Sequence, residues 1–322
     1  MKLSKRYILL FIAIAIILVE AGYLFGRVKN TKQIKTRVEK HQTGYKYISP
    51  LLECGYEEAG TFESKLLQQK IEEIIISHKN AKNITHASVY IHDLISGSWV
   101  GINEKETFSP ASLLKVPLMM AYLKQAEGDK MILSKKIKII EDNAGQSVQA
   151  FSPWKSTEVN QEYTVEELLT YMIKYSDNRA ATNLLRELSP EVLNKVYYDI
   201  GIKPPSITKL EENFMSVTEY ASFFEILYNA SYLNTEMSEK ALDILANTSF
   251  KKGLTSGLPL DVTVSHKFGE RDILSYKQLH DCGIIYKQNH PFLLCIMSRG
   301  SDFEKMALAI KDISKTSYNN IK

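Results

Sequence analysis

The spacing of apolar residues divides the chain into a membrane-like start, a helical middle and a strand-rich end. After a basic start, positions 7–26 are almost continuously apolar, whereas positions 27–46 are rich in Lys, Arg, Gln and Thr. An apolar run of about 19 residues is long enough to cross a bilayer, and positive charges before it favour a cytoplasmic N-terminus. The pattern predicts a cytoplasmic tail at 1–6, a transmembrane signal-anchor at 7–26, a solvated stalk, helical or disordered, at 27–46 and an external domain at 47–322.

A cleaved signal peptide is an alternative interpretation of the same N-terminus. Its apolar core would be 7–19, and Val19-Glu20-Ala21 resembles a cleavage site. Both interpretations place the rest of the chain outside the cytoplasm. The basic stalk has a second interpretation too, as a contact with anionic lipid or a cell-wall polymer.

Apolar periodicity in the rest of the chain predicts two strands, a block of helices and three further strands. An amphipathic helix over 62–77 precedes a hairpin with strands at 87–94 and 99–102. Thr164 and Ser216 each begin a capping box, in which a Glu three residues later returns the cap hydrogen bond. The last predicted elements are strands at 262–267, 280–286 and 291–299 and a helix at 303–315.

This order predicts an α/β (α+β) fold in which an antiparallel sheet is flanked by helices and carries an all-helical lobe. A cleft is expected at the seam between sheet and lobe. The loop at 287–290 joins the last two strands as a hairpin, which places Cys282 opposite Cys295. An oxidising compartment would allow a disulfide there, but cross-strand disulfides are strained and we expect two buried free thiols.

Composition and charge exclude several classes of protein. The 322 residues are 44% apolar, which suits a globular chain with a sizeable core, and a net charge of +3 is too small to indicate nucleic-acid binding. Three cysteines exclude a dense disulfide framework and lack zinc-ligand spacing. The sequence has no His-x-x-x-His pair and no glycine-rich phosphate loop, so we expect no metal and no cofactor. We expect a monomer.

Three short motifs, in one chain order, indicate nucleophilic acyl transfer. They are Ser112-Leu113-Leu114-Lys115, Ser176-Asp177-Asn178 and Lys267-Phe268-Gly269. Ser109-Pro110 predicts a helix start with Ser109 as N-cap. Ser112 then lies in the first turn, and Lys115 lies one turn further along the same face.

The first motif supplies the reacting groups. A serine hydroxyl is a poor nucleophile until a base removes its proton, and a desolvated, neutral Lys115 would be that base for Ser112. The backbone N–H groups of Ser112 and Glu270 would form the oxyanion hole. Gly269 would let the substrate approach because it has no side chain.

The other two motifs supply proton transfer and substrate binding. Ser176 would relay a proton between Lys115 and the leaving group. Asn178 would hydrogen-bond a substrate amide. Lys267 would attract a substrate carboxylate and lower the pKa of Lys115.

These residues resemble the class A β-lactamase and penicillin-binding protein superfamily of active-site serine enzymes, whose signature is Ser-x-x-Lys, Ser-Asp-Asn and Lys-Thr-Gly. The resemblance extends from about Tyr47 to the C-terminus, and the segments 257–259 and 280–286 also look like the family. It implies the two-lobed fold of the serine transpeptidases and β-lactamases and an acyl-enzyme on Ser112.

Two departures from the family pattern concern substrate and turnover. Phe268 stands where the family has Thr or Ser, so the hydroxyl that helps to bind a substrate carboxylate is missing. Class A enzymes deacylate with a glutamate on a long loop that has an asparagine four residues on. Here that segment is short, and its carboxylates, Glu211 and Glu212, lack such an asparagine. Asp177 and His266 are expected to be structural.

The sequence therefore predicts an exported, membrane-anchored serine hydrolase for β-lactam-like or peptidoglycan-related amides, with weak or no β-lactam turnover. Its partners would be a small-molecule or peptide substrate in the cell envelope and the membrane, not nucleic acid. The alternative is a catalytically inactive ligand-binding protein of the cell envelope on the same fold, in which Phe268 would stack on the ligand.

Overall fold

The computed structural model describes residues 35–58, 62–140, 149–205, 213–273 and 276–321. The predicted membrane segment at 7–26 and the carboxylates Glu211 and Glu212 lie outside this set. Within the described ranges, no helix is both long and apolar enough to span a bilayer.

A five-stranded antiparallel sheet forms the centre of the fold. Its strands are β3 (His86–Asp93), β4 (Trp99–Ile102), β9 (Val264–Ile273), β10 (Tyr276–Ile285) and β11 (Phe292–Gly300). Their spatial order is β4-β3-β11-β10-β9, which leaves β9 at one edge. Shorter paired strands are β1 (Lys35–His41) with β2 (Leu51–Glu58), β5 (Thr107–Phe108) with β8 (Met215–Ser216), and β6 (Lys136–Lys138) with β7 (Glu162–Thr164).

Helices cover both faces of this sheet, as the fold prediction requires. They are α1 (Phe62–Asn80), α2 (Lys115–Ala126), α3 (Met131–Ser134), α4 (Val165–Lys174), α5 (Asn178–Glu187), α6 (Pro190–Asp199), α7 (Val217–Tyr228), α8 (Thr235–Ala246) and α9 (Phe303–Asn320). Helices α1 and α9 pack on one face, and α2 to α8 form a helical lobe on the other. The predicted α/β (α+β) class is confirmed.

The two cores meet at the central strands because successive side chains of a strand point to opposite faces. In β11, Leu293 and Met297 belong to the core of the lobe, whereas Leu294 and Ile296 pack under α1 and α9. These side chains are fully buried. Burial on both faces explains the near-continuous apolar sequence of this strand.

Local signals place the lobe helices correctly. Thr164 and Ser216 both form complete capping boxes, with Glu167 and Glu219 as the returning carboxylates. Pro190 begins α6 directly after its N-cap. These motifs depend only on neighbouring residues, so the sequence alone predicts them.

The chain before the sheet includes part of the segment predicted as a stalk, 27–46, and its residues 42–46 are exposed. Strand β1 pairs with β2, so its residues are extended rather than helical or disordered. The intervening segment docks on α8, where the Glu239 carboxylate accepts the backbone N–H groups of Lys46, Tyr47 and Ile48. The Glu239 carboxylate thus satisfies three successive backbone donors of this segment. Because the contact joins residues far apart in the chain, no local sequence pattern predicts it.

Cys282 and Cys295 form a disulfide between β10 and β11. The predicted register is confirmed, since these residues face each other directly. The expectation of two free thiols is wrong, because the opposed positions bring the Cα atoms to 4.0 Å and the sulfurs to bonding distance. On the other side of β10, Cys282 faces Lys267 of β9.

Candidate active site

Ser112 lies in a short 3-10 helix, Ala111–Leu114, that continues into α2 at Lys115. The prediction of Ser109 as N-cap is wrong: Pro110 takes that position, and no side chain caps the turn. Ser109 is instead held by strand β10. Its N–H donates to Gln278 Oε1 at 3.1 Å.

His280 holds the other side of Ser109 and shows why the helix begins later. The Ser109 carbonyl lies 2.9 Å from His280 Nε2, and since a carbonyl only accepts, Nε2 carries the proton. Nδ1 accepts the Ser298 N–H at 3.3 Å. Burial lowers the pKa of His280 to about 4, so this imidazole stays neutral.

Gly269 permits a close contact between β9 and the 3-10 helix. A Cβ placed on Gly269 would lie 2.8 Å from the Pro110 carbonyl oxygen and 3.1 Å from the Leu113 side chain. The contact that this glycine allows is therefore with the turn that carries Ser112. Ala111, in the same turn, has a left-handed φ of 51°, a conformation that the surrounding packing must maintain.

Lys115 is buried, with 6% of its surface exposed. Its Nζ donates to the Ser176 carbonyl at 2.7 Å, to Ser176 Oγ at 3.2 Å and to Asn178 Oδ1 at 2.7 Å. Burial lowers the pKa of Lys115 to about 7, against the opposing charges of Asp177 and Glu270. The three donated hydrogen bonds are those of the charged ammonium, and a pKa in this range allows the amine to lose a proton near neutral pH and then accept one.

Lys267 is fully buried and approaches the same hydroxyl from the sheet. Its Nζ donates to Ser176 Oγ at 2.9 Å and to the Phe268 carbonyl at 2.8 Å. Burial and the charge of Lys115 hold the pKa of Lys267 well below its usual range. Ser176 Oγ thus lies between two buried amines, and the positive charge of each disfavours the positive charge of the other.

Ser112 is partly exposed beside these groups. Among the residues that the structure describes, its Oγ makes no hydrogen bond. Nucleophile–base hydrogen bonds often form only once substrate is bound. Without substrate, the base is held by Ser176 and Asn178, while Ser112 remains accessible.

Asp177 is structural, as expected. One carboxylate oxygen caps α5 through the Arg179 N–H at 2.9 Å, and the other accepts the N–H and hydroxyl of Thr157 at 2.7 and 2.8 Å. His266 is likewise held by a buried carboxylate, that of Asp281, at 2.8 Å.

Phe268 does not present an open face to a ligand. It is 3% exposed and stacks on Phe250, with ring centroids 4.1 Å apart and planes 18° from parallel. Lys267 Nζ lies 4.2 Å from the centroid of the Phe268 ring. The ring that replaces the family hydroxyl is part of an aromatic cluster beside the site.

Sequence reasoning missed the Glu270 carboxylate and the segment that contacts it. Both carboxylate oxygens lie 3.2 Å from the Phe151 N, which donates to them. Burial raises the pKa of Glu270, and the hydrogen bonds from Phe151 and Ala150 oppose that shift. No local pattern in the irregular segment around Phe151 predicts this contact. Across the described ranges, no cluster of three or more His, Cys, Asp or Glu side chains could hold a metal ion.

A buried lysine, the Ser176 hydroxyl and a second buried lysine on the opposite wall meet at this site, an arrangement suited to the chemistry of an active-site serine hydrolase. The family model of the beta-lactamase enzyme family matches residues 66–321, and the chain belongs to that family. Its relatives include beta-lactamase CTX-M-97 of Escherichia coli, 24% identical over 204 residues that cover 59% of this chain and 68% of the relative. The beta-lactamase of Streptomyces albus G is 26% identical over 226 residues, 65% and 71% of the two chains.

Solved structures share the fold. The structure of PBP-A superposes with a TM-score of 0.66 at 21% identity and covers 79% of this chain and 95% of its own. TLA-3 extended-spectrum beta-lactamase gives a TM-score of 0.68 at 19% identity, with coverage of 80% and 98%. These structures confirm the expected fold, and the family model confirms the resemblance to the serine β-lactamases.

Proposed function

We propose that this serine hydrolase forms an acyl-enzyme on Ser112 with β-lactam-like or peptidoglycan-related amides and releases the product slowly. The observation that supports this most is Ser176 Oγ, which two buried lysines contact at 3.2 and 2.9 Å beside an accessible Ser112. An ordinary structural serine has no need of two desolvated amines. Their desolvation is costly to stability and useful for proton transfer.

In the acylation step, neutral Lys115 takes the proton of Ser112 Oγ as this oxygen attacks the carbonyl carbon. The carbonyl π electrons move to oxygen, and the backbone N–H groups of Ser112 and Glu270 stabilise the oxyanion. The C–N bond then breaks, and the nitrogen takes the Ser176 hydroxyl proton. Ser176 is reprotonated by Lys115, which returns the base to its starting state.

Deacylation requires a water molecule and a base to activate it. Among the residues that the structure describes, which do not include Glu211 and Glu212, the carboxylates whose charges reach Lys115 are those of Asp177 and Glu270. Both Asp177 oxygens accept backbone and side-chain donors, and Glu270 accepts the Phe151 N–H. Carboxylates engaged in this way are poor water-activating bases, which supports slow turnover.

The test is labelling with a fluorescent penicillin and a fluorophosphonate, followed by intact and peptide mass spectrometry. We expect one adduct on Ser112 and its loss in Ser112→Ala. Lys115→Ala should retain the fold and label at least about a hundredfold more slowly. Equal labelling of wild type and Ser112→Ala would overturn the proposal. Saturable penicillin binding with no adduct would establish the inactive binding protein instead.

A product assay separates acylation from turnover. With excess β-lactam, we expect a burst of about one product per protein followed by slow release, as for an accumulating acyl-enzyme. Rapid, linear turnover without a burst would contradict slow deacylation. It would also direct attention to a carboxylate other than Asp177 and Glu270.

We also propose that the domain lies outside the cytoplasm on an N-terminal anchor. The basic and apolar pattern of residues 1–26 supports this, and so does the Cys282–Cys295 disulfide, because disulfides persist in oxidising compartments. Protease treatment of intact cells should degrade the domain while it remains in the membrane fraction. A soluble, protease-protected protein would contradict this location, and a soluble external protein would indicate a cleaved signal peptide.

A further inference from the structure

Residues 149–157, called the strap below, connect the two walls of the active site. At the lobe wall, the N–H and hydroxyl of Thr157 donate to Asp177 Oδ2 at 2.7 and 2.8 Å. At the sheet wall, the Phe151 N–H donates to the Glu270 carboxylate at 3.2 Å. Asp177 belongs to the Ser-Asp-Asn motif and Glu270 follows the Lys-Phe-Gly motif. Both ends of the strap are therefore hydrogen-bonded to residues of, or next to, the active-site motifs.

The ring of Phe151 packs into an aromatic cluster on the sheet side. Its centroid lies 5.0 Å from Phe250, 6.1 Å from Phe303 and 6.3 Å from Phe268. We call the latter three residues the aryl pocket. Phe268 and Phe303 belong to β9 and α9, while Phe250 stacks directly on Phe268.

The supports of the four rings differ. Phe268 and Phe303 lie in regular elements, and Phe250, although outside any helix or strand, is buried with 6% of its surface exposed. Phe151 lies in irregular chain, and the strap residues Ser152 and Trp154 are exposed. Moving the strap would break a few hydrogen bonds and uncover the pocket, whereas moving the pocket would disrupt the sheet edge. Phe151 is thus the removable member of the cluster.

The pocket also lies next to the reacting groups. Phe268 directly follows Lys267, whose Nζ contacts both its ring and Ser176 Oγ. A phenyl ring here cannot hydrogen-bond a carboxylate. Lys252 and Lys277, whose ammonium groups lie over the Phe151 and Phe303 rings, are each paired with a carboxylate, those of Glu304 and Asp272. An aryl group in place of Phe151 would contact the three rings as Phe151 does, tilted or edge-on, and such surroundings favour an uncharged, apolar group.

We propose that Phe250, Phe268 and Phe303 form a subsite for an aryl group of the substrate, and that Phe151 occupies this subsite until substrate displaces it. The substrate class is an amide or ester that carries an uncharged aromatic group close to its reactive carbonyl. That the occupant of this subsite is a substrate rests on the proposed acyl-enzyme function. The pocket itself rests only on the geometry of the four rings.

The first test compares two fluorophosphonates, one with a phenyl group on its alkyl chain and one with a short alkyl chain. Second-order rate constants for Ser112 labelling are measured for wild type, Phe151→Ala, Phe151→Tyr and Trp154→Ala. Phe151→Ala should accelerate the phenyl probe by about tenfold more than the alkyl probe, since an open pocket gains the burial of one ring. Phe151→Tyr, which keeps the ring, and Trp154→Ala, which removes a strap ring outside the pocket, should retain the wild-type ratio.

An unchanged ratio of the two rate constants in Phe151→Ala would overturn the subsite. If both probes are accelerated equally, the strap only limits access, and if neither is accelerated, Phe151 does not cover a binding site. Circular dichroism and thermal melting establish that each variant is folded, and Phe151→Leu replaces Phe151→Ala if the latter is not.

A second test needs no chemistry at Ser112. Binding of 4-fluorotoluene, followed by ¹⁹F NMR line broadening, should occur in Phe151→Ala and be at least about tenfold weaker in wild type. If no probe labels Ser112 but 4-fluorotoluene binds, the proposed function fails and the pocket stands. If Ser112 is labelled at equal rates by both probes and 4-fluorotoluene does not bind, the pocket fails and the function stands.

Discussion

Lys115 shows how a single residue links stability to reactivity. An exposed lysine in the unfolded chain keeps a pKa near 10.5, whereas burial lowers the pKa of Lys115 to about 7 in the fold. Between these values the unfolded state binds more protons than the folded state. Stability must therefore rise with pH in this range.

The first prediction measures that linkage. The free energy of unfolding of wild type, relative to Lys115→Met, should increase by up to about 1.4 kcal/mol per pH unit from pH 7 to 9. Lys115→Met removes the titrating amine and keeps the buried chain, so titrating groups far from the site cancel in the difference. It also removes the charge that lowers the pKa of Lys267, so the slope reports the pair of lysines. Urea unfolding at several pH values measures it. A pH-independent difference would show that Lys115 is protonated in the fold throughout.

The same amine predicts the pH dependence of acylation. Because only neutral Lys115 accepts the Ser112 proton, the labelling rate with a fluorophosphonate should rise about tenfold per pH unit below pH 7. Above about pH 8 it should reach a plateau. The measured midpoint belongs to the coupled pair of Lys115 and Lys267 rather than to one residue. A flat profile between pH 5 and 9 would exclude a lysine of lowered pKa as the base.

At the scale of elements, the 3-10 helix of Ser112 depends on one glycine of β9. Gly269→Ala would place a Cβ 2.8 Å from the Pro110 carbonyl oxygen, and the turn has little room to retreat. We expect a destabilisation of about 1–3 kcal/mol and a loss of Ser112 labelling, because the turn must shift. Chemical denaturation and labelling rates measure the two effects.

Gly128→Ala is the matched control for this prediction. Gly128 is exposed, and its added Cβ would be 3.7 Å from the Gln125 carbonyl oxygen, an ordinary contact. This variant should keep wild-type labelling. Unchanged stability and labelling in Gly269→Ala would show that β9 and the turn can separate without loss of the site.

The elements also show what the sequence can predict. Capping boxes at Thr164 and Ser216 and the register of Cys282 against Cys295 follow from neighbouring residues and from one hairpin loop. The sequence predicts the start of the turn that carries Ser112 at the wrong residue, because Gln278 and His280 of a strand distant in sequence hold Ser109. Contacts made across the fold leave no local pattern.

The candidate site divides in the same way. Motif spacing predicts Lys115, Ser176 and Lys267 as one cluster, and the structure brings their polar atoms together. The strap and its Phe151 could not be predicted, because an irregular segment has no periodicity that indicates its partner. The sequence thus predicts the short motifs of the site, but it does not predict the irregular segment that packs over them.

At the scale of the whole molecule, the site exists only when the two cores pack together. Lys115 and Ser176 come from the helical lobe, and Lys267 comes from the edge strand of the sheet. Opening the seam would hydrate both amines and return their pKa values toward the usual range. Global stability and reactivity are therefore coupled through the central sheet.

The disulfide between Cys282 and Cys295 stabilises that sheet at its centre. It links β10 and β11 across a sequence separation of 13 residues, and closing a loop of this size in the unfolded chain contributes about 3 kcal/mol. The free energy of unfolding of the double variant Cys282→Ala/Cys295→Ala, measured by urea unfolding, should be lower by that amount. Wild type that has been unfolded and refolded in reductant should lose the same free energy of unfolding, apart from the small effect of the smaller alanine side chains on packing.

Burial sets the kinetics of the same bond. Both cysteines are fully buried, so reductant should reach the disulfide only when the sheet opens, and native protein should keep it in mild dithiothreitol. Thiol alkylation and mass spectrometry measure the retained bond, while urea unfolding measures its effect on stability. Chain folded in a reducing cytoplasm would lack about 3 kcal/mol of stability, so oxidation of this cysteine pair is part of how the fold reaches its full stability. Equal unfolding midpoints with and without the bond would remove that requirement.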